Sequence, residues 1–263
     1  MSFEGRLAVV TGAGSGIGRA VALMLAARGA SVAAVDLDGA RAAETAGRIA
    51  AAGGRGAAYQ ADASVSADID RTVTEAVARF GPLEVMVNNA GVLDGYLDVD
   101  EMTEATWRRV LDIDLTGVFL GCKRALQEML PRGRGRIVNM ASVAGLGGTG
   151  GGAAYIAAKH GVIGLTRQMA VVYAARGITV NAVCPGPIAT DLRRNSRAIL
   201  GPGMPDTSDR GIAASDEQVR AGVPAGRRGT AEEVAAAVCF LASDEAGYVN
   251  GHALVVDGGR RAK

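Results

Sequence analysis

A glycine-rich segment near the start of the chain constrains the fold more than any other feature. It reads Thr-Gly-Ala-Gly-Ser-Gly-Ile-Gly over 11–18, between the apolar run 7–10 and the amphipathic run 19–28. This order predicts a strand, a glycine loop and a helix. Glycine permits sharp turns and close approach of a ligand, and a helix N-terminus attracts phosphate. We therefore expect a phosphate-binding turn here, and a tight turn without a ligand is the alternative.

An acidic residue ends the next apolar run, 32–35. Asp36 lies at the distance where a carboxylate binds the ribose 2′-hydroxyl of a dinucleotide and repels a 2′-phosphate. Leu37 and Asp38 follow it, so this stretch supplies a second acid and no base. The segment therefore favours NAD(H) over NADP(H). The alternative is that Asp36 caps the helix starting at Gly39, a role that Asp38 fits equally well.

Short apolar runs alternate with longer alanine-rich segments of helical period. This pattern predicts a Rossmann-like, doubly wound α/β fold: a parallel sheet of about seven strands with helices on both faces, in a single domain over 1–263. The expected strands are 6–11, 31–36, 55–60, 83–88, 135–141, 178–184 and 252–256. The expected helices are 16–28, 39–52, 66–80, 103–130, 154–176 and 230–242.

A substrate loop is expected around 190–230. The stretch has no strand pattern, and Gly201-Pro202-Gly203-Met204-Pro205 interrupts any helix there. Long irregular segments in compact folds usually bind ligands. Its arginines, which are Arg193, Arg194 and Arg197, either meet an anionic substrate or form a solvated helix face.

Composition argues against several classes of function. The net charge of +1 indicates neither a nucleic-acid nor a membrane partner. Apolar runs fall short of the roughly 18 residues of a membrane span, and the first residues lack a signal-peptide pattern, so we expect a cytoplasmic protein. Three cysteines in apolar contexts predict reduced thiols, and two histidines are too few for a histidine-rich metal site.

Residues suited to acid–base chemistry follow the fifth strand. Ser142 lies at the end of that strand. Tyr155 and Lys159 are spaced i, i+4, so their side chains lie on the same face of a helix. Tyrosine, with a solution pKa of about 10, is a poor catalyst at neutral pH. A nearby ammonium, together with an oxidised nicotinamide cation, should lower that pKa. Taken alone, the Tyr–Lys spacing also fits an exposed helix pair.

Three motifs together resemble the short-chain dehydrogenase/reductase family, over about 6–259. They are the T-G-x-x-x-G-I-G loop, the N-N-A-G end of the fourth strand at 88–91, and Ser142 followed by Y-x-x-x-K. The resemblance implies that Tyr155 is the general acid and base. It implies that Lys159 orients the nicotinamide ribose and lowers the tyrosine pKa, while Ser142 polarises the substrate carbonyl.

The resemblance also implies a cofactor site. Asp62 would contact the adenine ring, although capping of the helix near Ser66 is an alternative role, and Asn88 would steady the sheet. The segment 185–190 would hold the nicotinamide carboxamide. The expected NAD-binding residues are Gly12, Ser15, Gly16, Ile17, Gly18, Asp36, Leu37, Asp62, Ala63, Asn89, Ala90, Gly91, Tyr155, Lys159, Pro185, Gly186, Ile188 and Thr190.

One position departs from the family. Members usually have asparagine before Leu-Thr-Gly in the long helix, and this chain has Asp114. In the family, the backbone carbonyl of that residue holds a water that links the lysine to solvent, and its side chain helps to distort the helix. A carboxylate beside Lys159 would raise the lysine pKa or accept a proton. We expect Asp114 to belong to the catalytic set, with activity retained and the pH profile shifted.

Three functions fit these residues. The leading one is an NAD-dependent enzyme that interconverts a small-molecule secondary alcohol and a ketone. The second is a 3-oxoacyl-thioester reductase, against which Asp36 weighs because such reductases mostly use NADPH. The third is a dinucleotide-binding regulator without catalysis, which the intact Ser142, Tyr155 and Lys159 oppose. By resemblance we expect a homotetramer formed through helices 103–130 and 154–176 and the last strand. The substrate and its stereochemistry stay open.

Overall fold

A computed structural model describes residues 1–201, 204–205, 207, 209–211 and 215–263 of the chain. The described residues form a seven-stranded sheet. Its strands are β1 (Leu7–Thr11), β2 (Ser31–Asp36), β3 (Arg55–Gln60), β4 (Leu83–Asn88), β5 (Gly135–Met140), β6 (Ile178–Pro185) and β7 (Ala253–Val256). Every neighbouring pair is parallel, in the order β3-β2-β1-β4-β5-β6-β7. The predicted fold class is confirmed.

Helices cover both faces of the sheet. They are α1 (Gly16–Ala27), α2 (Gly39–Ala51), α3 (Ser66–Phe80), α4 (Glu104–Leu111), α5 (Gly117–Met129), α6 (Ala153–Tyr173), α7 (Leu192–Leu200), α8 (Asp216–Gly222) and α9 (Ala231–Ala242). None of these helices, within the part of the chain that the structure describes, combines the length and the apolar character of a membrane span.

Strand alternation divides the core into two layers. Successive side chains of a strand point to opposite faces. Leu7 and Val9 therefore join the layer beneath α3, α5 and α6, whereas Ala8 and Val10 join the layer beneath α1 and α9. All four are buried, which explains why β1 is a continuous apolar run instead of an alternating one.

The predicted long helix 103–130 is wrong as a single element. The structure has α4, then a π-helical turn over Asp112–Thr116, then α5. Asp114 lies at the centre of this turn, fully buried, and its Oδ1 accepts a hydrogen bond of 2.7 Å from the Val92 N–H. The wider turn thus coincides with a carboxylate directed into the protein, and such turns often occur at functional sites.

The segment predicted to be a substrate loop leaves and rejoins the fold at one place. Ala189 N donates to Gly229 O at 2.9 Å, and Gly229 N donates to Pro187 O at 3.0 Å. Its described part contains α7 and α8, so the expectation of an irregular stretch underestimates its helical content. Of the glycine–proline stretch predicted to interrupt it, Pro202 and Gly203 lie outside the described residues.

Candidate active site

The residues predicted for the site line one cleft at the carboxyl ends of the strands. The cleft lies near β1 and β4, where the strand order reverses, which is the usual binding place in open α/β sheets. Its lining includes all predicted catalytic and cofactor residues: Gly12, Ser15, Gly16, Ile17, Gly18, Asp36, Leu37, Asp62, Ala63, Asn89, Ala90, Gly91, Asp114, Ser142, Tyr155, Lys159, Pro185, Gly186, Ile188 and Thr190.

The glycine loop brings the start of α1 directly onto the backbone of β1. Gly12 has a left-handed φ of +66°, which favours glycine. A Cβ at Gly18 would lie 2.0 Å from the Gly12 carbonyl oxygen, so only glycine fits this contact. The N-terminal N–H groups of α1 consequently adjoin the cleft. This arrangement fits the pyrophosphate of a dinucleotide, because helix N-termini stabilise negative charge.

Two neighbouring aspartates at the end of β2 have different roles. Asp38 caps α2, since its side chain accepts hydrogen bonds from the N–H groups of Ala40 and Arg41. Asp36 instead accepts a 2.8 Å hydrogen bond from Gly14 N of the glycine loop. The capping alternative therefore belongs to Asp38, and the Asp36 carboxylate lines the cleft where a ribose would bind.

A base does lie near Asp36, contrary to the expectation from the residues that follow it. Arg41 also lines the cleft. Its Nε is 3.3 Å from Asp38 Oδ2, and its Nη1 donates to Asn195 Oδ1 of α7 at 3.0 Å. Arg41 is five residues after Asp36, on the first turn of α2. This position near the start of the helix is the feature of the sequence that could have predicted a base beside Asp36.

Asp62 does not cap the following helix. Its Oδ1 accepts from Ser64 N at 2.9 Å, and its Oδ2 is 2.9 Å from Arg109 Nη2. Burial raises the pKa of Asp62, but the hydrogen bonds from Ser64 and Arg109 outweigh burial and hold the pKa below its usual range. Arg109 lines the cleft and was not predicted from the sequence. Asp62 thus presents an ionised carboxylate beside a guanidinium.

The paired asparagines at the end of β4 link neighbouring strands through their side-chain amides. Asn89 Nδ2 donates to Thr11 O at 2.9 Å, which joins β4 to β1. Asn88 Nδ2 donates to Asn139 Oδ1 at 2.8 Å, which joins β4 to β5. These two bonds hold the central strands together where the cleft opens.

The three residues predicted for acid–base chemistry meet at the end of β5 and the first turns of α6. Lys159 Nζ lies 5.3 Å from the centroid of the Tyr155 ring. The same Nζ donates to Met140 O at 3.2 Å and lies 3.0 Å from Asp114 Oδ2. Ser142 lines the cleft beside Tyr155, and its Oγ accepts a hydrogen bond of 3.1 Å from Ala144 N. The structure therefore brings Asp114 into the same cluster.

The pKa of Tyr155 differs from the sequence-based expectation. Burial raises the pKa of Tyr155, and this effect outweighs the opposing charge of Lys159. The negative charge of Asp114 raises the pKa further, while the hydrogen bond with Ser142 lowers it. The contribution of Lys159 has the predicted sign, but desolvation of a buried phenol is larger.

Helix α7 covers the cleft through two polar side chains. Asn195 Nδ2 donates to Ser15 Oγ at 3.2 Å, and Ser196 Oγ accepts from Leu93 N at 2.8 Å. Asn195 therefore joins the glycine loop to the substrate loop, a contact that was not predicted. The sequence signal was weak, because a polar residue on an amphipathic helix usually faces solvent.

The arginines of α7 have partners within the protein. Arg193 donates from Nη1 to Thr207 O at 2.8 Å and from Nη2 to Arg210 O at 2.8 Å. Arg194 pairs with Asp191 at 2.8 Å. Arg193 and Arg194 thus have partners within the protein, and their charges do not require an anionic substrate.

Comparison with known proteins identifies the family. A family model described as enoyl-(acyl carrier protein) reductase matches residues 12–261. The 3β-hydroxysteroid dehydrogenase 2 of Eggerthella lenta is 40% identical over 97% of this chain and 94% of its own length. Cyclohexanol dehydrogenase of an Acinetobacter species is 40% identical over 99% of this chain and 97% of its own length. The 3-oxoacyl-[acyl-carrier-protein] reductase of Escherichia coli is 41% identical, covering 98% of each chain.

The chain belongs to the short-chain dehydrogenase/reductase family. The crystal structure of levodione reductase superposes with a TM-score of 0.89 at 39% identity, covering 99% of each chain. A protein of Agrobacterium tumefaciens described as a 2-deoxy-D-gluconate 3-dehydrogenase, with bound NADP, has a TM-score of 0.84 at 37% identity, covering 100% of this chain and 98% of that one. The predicted family is confirmed, and the chain is a dinucleotide-binding oxidoreductase that acts on CH–OH groups.

Proposed function

We propose that this oxidoreductase uses NAD(H) to interconvert a small secondary alcohol and its ketone, with Tyr155 as general acid and base. One observation carries the proposal. Ser142, Tyr155 and Lys159 line the same cleft as Asp36, whose carboxylate is bonded to the glycine loop. A dinucleotide extended along this cleft brings its two ends to these two groups of residues.

The chain's own groups supply the proton transfer, and bound NAD(H) supplies or receives the hydride. In ketone reduction, the Tyr155 hydroxyl donates its proton to the carbonyl oxygen, and the Ser142 hydroxyl donates a hydrogen bond to the same oxygen. The Lys159 ammonium stabilises the phenolate that remains. In alcohol oxidation, that phenolate accepts the hydroxyl proton of the substrate.

Asp114 keeps Lys159 protonated in this mechanism. Burial lowers the pKa of Lys159, but the charges of Asp114 and Tyr155 outweigh burial, so the net pKa is raised. Lys159 therefore remains a cation throughout the neutral range. The same carboxylate makes the Tyr155 phenolate harder to form, so Asp114 has opposing effects on the two residues.

The choice of NAD(H) rests on Asp36. A carboxylate in this position repels the 2′-phosphate of NADP(H). Two observations support the opposite choice: Arg41 in the same part of the cleft, and the bound NADP of the Agrobacterium relative. Arg41 is already paired with Asp38 and hydrogen-bonded to Asn195, so we expect the Asp36 carboxylate to determine the preference between NAD(H) and NADP(H).

The second candidate is a 3-oxoacyl-thioester reductase. It is favoured by the relative from Escherichia coli, which is 41% identical over nearly the full length. The non-catalytic regulator has no support beyond Asp114, and the intact Ser142, Tyr155 and Lys159 weigh against it.

For assembly and location we propose a homotetramer in the cytoplasm, with one domain per chain and a substrate loop around 190–230. Apolar side chains on the outer faces of two helices support the tetramer. Phe119 of α5 is 46% exposed, and Val171 and Val172 of α6 are 83% and 48% exposed. Apolar surface of this kind is typical of protein interfaces. Light scattering coupled to gel filtration tests it, because a monomer would contradict the proposal.

Initial rates test the proposed function. NADH and NADPH are compared at matched concentrations with cyclohexanone, a cyclic diketone, a 3-ketosteroid and an acetoacetyl thioester. Turnover of a free ketone with a strong preference for NADH is the expected result. Turnover confined to the thioester with NADPH would overturn the cofactor assignment and support the second candidate.

A further inference from the structure

A buried carboxylate outside every sequence motif contacts the backbone of the proposed general base. Asp94 lies in the loop between β4 and α4, and it is 0% exposed. Its Oδ2 accepts a hydrogen bond of 2.9 Å from Tyr155 N. Its Oδ1 accepts from Gly152 N at 2.8 Å and from Tyr96 N at 3.2 Å. Because both oxygens accept hydrogen bonds, the ionised form of Asp94 fits the site.

Asp94 takes the place of a local cap for α6. The first N–H groups of a helix need acceptors from outside the helix. The N-cap residue of α6 is Gly152, and a Cβ there would lie 2.5 Å from Leu97 N and 2.7 Å from Asp94 Oδ1. A capping serine or aspartate therefore does not fit at this position. Ala153 N also donates to Leu97 O at 3.0 Å, so the loop is bonded to the helix at both Asp94 and Leu97.

The same carboxylate organises the surface that meets the substrate loop. Its bond to Tyr96 N holds that residue in the left-handed conformation, with φ of 61°, which is rare for tyrosine. The Tyr96 ring lies 5.1 Å from the Arg193 guanidinium of α7. A Cβ at Gly211 would lie 2.3 Å from this ring, so the loop backbone packs closely against it. Asp94 is thus bonded both to Tyr155 and to the residue on which the substrate loop rests.

We propose that Asp94 is a positioning residue, which fixes Tyr155 relative to Ser142 and to the substrate loop. This inference rests on the proposed role of Tyr155. Acid–base catalysis requires hydrogen-bond reach between Tyr155 and the substrate oxygen, and a displacement of about 1 Å can cost about 100-fold in rate. Asp94 acts on the backbone of Tyr155 and contacts no reacting atom.

The charge of Asp94 belongs to a defined electrostatic environment. Burial raises its pKa, and hydrogen bonds from Tyr155, Gly152 and Tyr96 oppose that rise. Asp94 contacts Tyr155 directly, and its charge raises the pKa of both Asp114 and Tyr96. The neighbouring cations act on these groups: Lys159 on Tyr155 and Asp114, and Arg193 and Arg260 on Tyr96. Loss of the Asp94 charge should lower the pKa of Tyr155, because one negative charge near the phenolate disappears.

Asp94→Asn is the smallest informative change. Asparagine replaces one of the two carboxylate oxygens with an NH2 group, which donates, so either Tyr155 N or the N–H groups of Gly152 and Tyr96 lose their acceptor. The assay is oxidation of the alcohol whose ketone the wild-type protein reduces fastest. We expect a kcat about 10- to 100-fold lower, an unchanged affinity for NADH, and an acid limb of the pH–rate curve that lies at lower pH.

Two further variants separate positioning from stability. Thr103→Ala removes the N-terminal cap of α4 outside the cleft, and it should keep the wild-type kcat. Gly152→Ala retains the Asp94 charge but displaces the carboxylate from the helix. It should lower kcat and leave the acid limb where it is.

Each remaining outcome overturns the inference. A folded Asp94→Asn variant with wild-type kcat and pH profile would do so. If Asp94→Asn lost both kcat and NADH binding, the substitution would disturb the whole site and not only the position of Tyr155. If neither Asp94→Asn nor Gly152→Ala melted cooperatively, Asp94 would be required for folding and not for positioning. An active Tyr155→Phe variant would instead remove the proposed role of Tyr155, whatever the Asp94 variants show.

Discussion

Lys159 Nζ lies 3.0 Å from Asp114 Oδ2, and the two side chains are 3% and 0% exposed. Asp114 is held in place from the other side, because its Oδ1 accepts from Val92 N. Resemblance to the family predicts a neutral asparagine at this position. The buried ion pair therefore adds one negative charge beside the proposed general base, in surroundings where charges interact more strongly than in water.

Replacing Asp114 with asparagine should move the pH–rate curve. Burial raises the pKa of Tyr155, and the Asp114 charge raises it further. Alcohol oxidation requires the phenolate, so the rate rises as the pH passes upward through this pKa. Without the Asp114 charge the pKa falls, and the acid limb should shift to lower pH. The measurement is kcat/KM against pH.

Asp112→Asn is the matched control for that experiment. Asp112 belongs to the same π-helical turn, but its side chain is exposed. Its replacement should leave the curve unchanged, because exposed charges are screened by solvent. An unaltered curve for Asp114→Asn would show that the carboxylate does not affect the titration of Tyr155.

Tyr155→Phe should abolish turnover while cofactor binding persists. The substitution removes the proton that the mechanism transfers, and general acid–base catalysis is worth about 10²- to 10⁴-fold. Tyr173→Phe, at the far end of α6, is the control that should retain full activity. Rates and NADH fluorescence titrations are measured for both. Turnover by Tyr155→Phe at the wild-type rate would assign the proton transfer elsewhere.

Asp36→Asn should weaken the preference for NADH over NADPH. The substitution removes the charge that repels a 2′-phosphate and weakens the hydrogen bonds to the ribose, which are worth about 1.5–3 kcal/mol when charge-assisted. The ratio of kcat/KM values should change about tenfold or more. Glu44→Gln is the control, because it removes an acidic charge of α2 that lies outside the cleft, and it should keep the preference. Equal ratios in the Asp36 variant and the wild type would refute selection by Asp36.

Two glycine substitutions should have opposite effects on stability. At Gly18 a Cβ would lie 2.0 Å from the Gly12 carbonyl oxygen, so alanine should destabilise the fold by about 3 kcal/mol. At Gly47, inside α2, a Cβ would meet no described atom within 4 Å, so alanine should stabilise by about 0.5–1 kcal/mol. Thermal melting measures both. A stable Gly18→Ala protein that binds NADH would contradict the close-packed loop.

Local patterns in the sequence predicted the strands, most helices and the family. Apolar runs and turn residues act over a few positions, so their consequences can be read directly from the chain. The i, i+4 spacing likewise places Tyr155 and Lys159 on one helix face. The prediction of one long helix over 103–130 is the main error. The helical sequence pattern continues through the π-helical turn, so the pattern does not reveal the interruption. That turn depends on a buried carboxylate whose partners lie elsewhere in the chain.

Tertiary structure alone decided which polar groups meet. Asp94 and Tyr155 are 61 positions apart, and Arg41 and Asn195 are 154 positions apart, so no local period relates them. The sign of the Tyr155 pKa shift is also a tertiary property. It depends on how much water packing removes from the phenol, and the spacing of Tyr155 and Lys159 carries no information about that. The sequence by itself determined the sheet, the glycine loop and the identity of the reactive side chains, because these follow from short-range geometry.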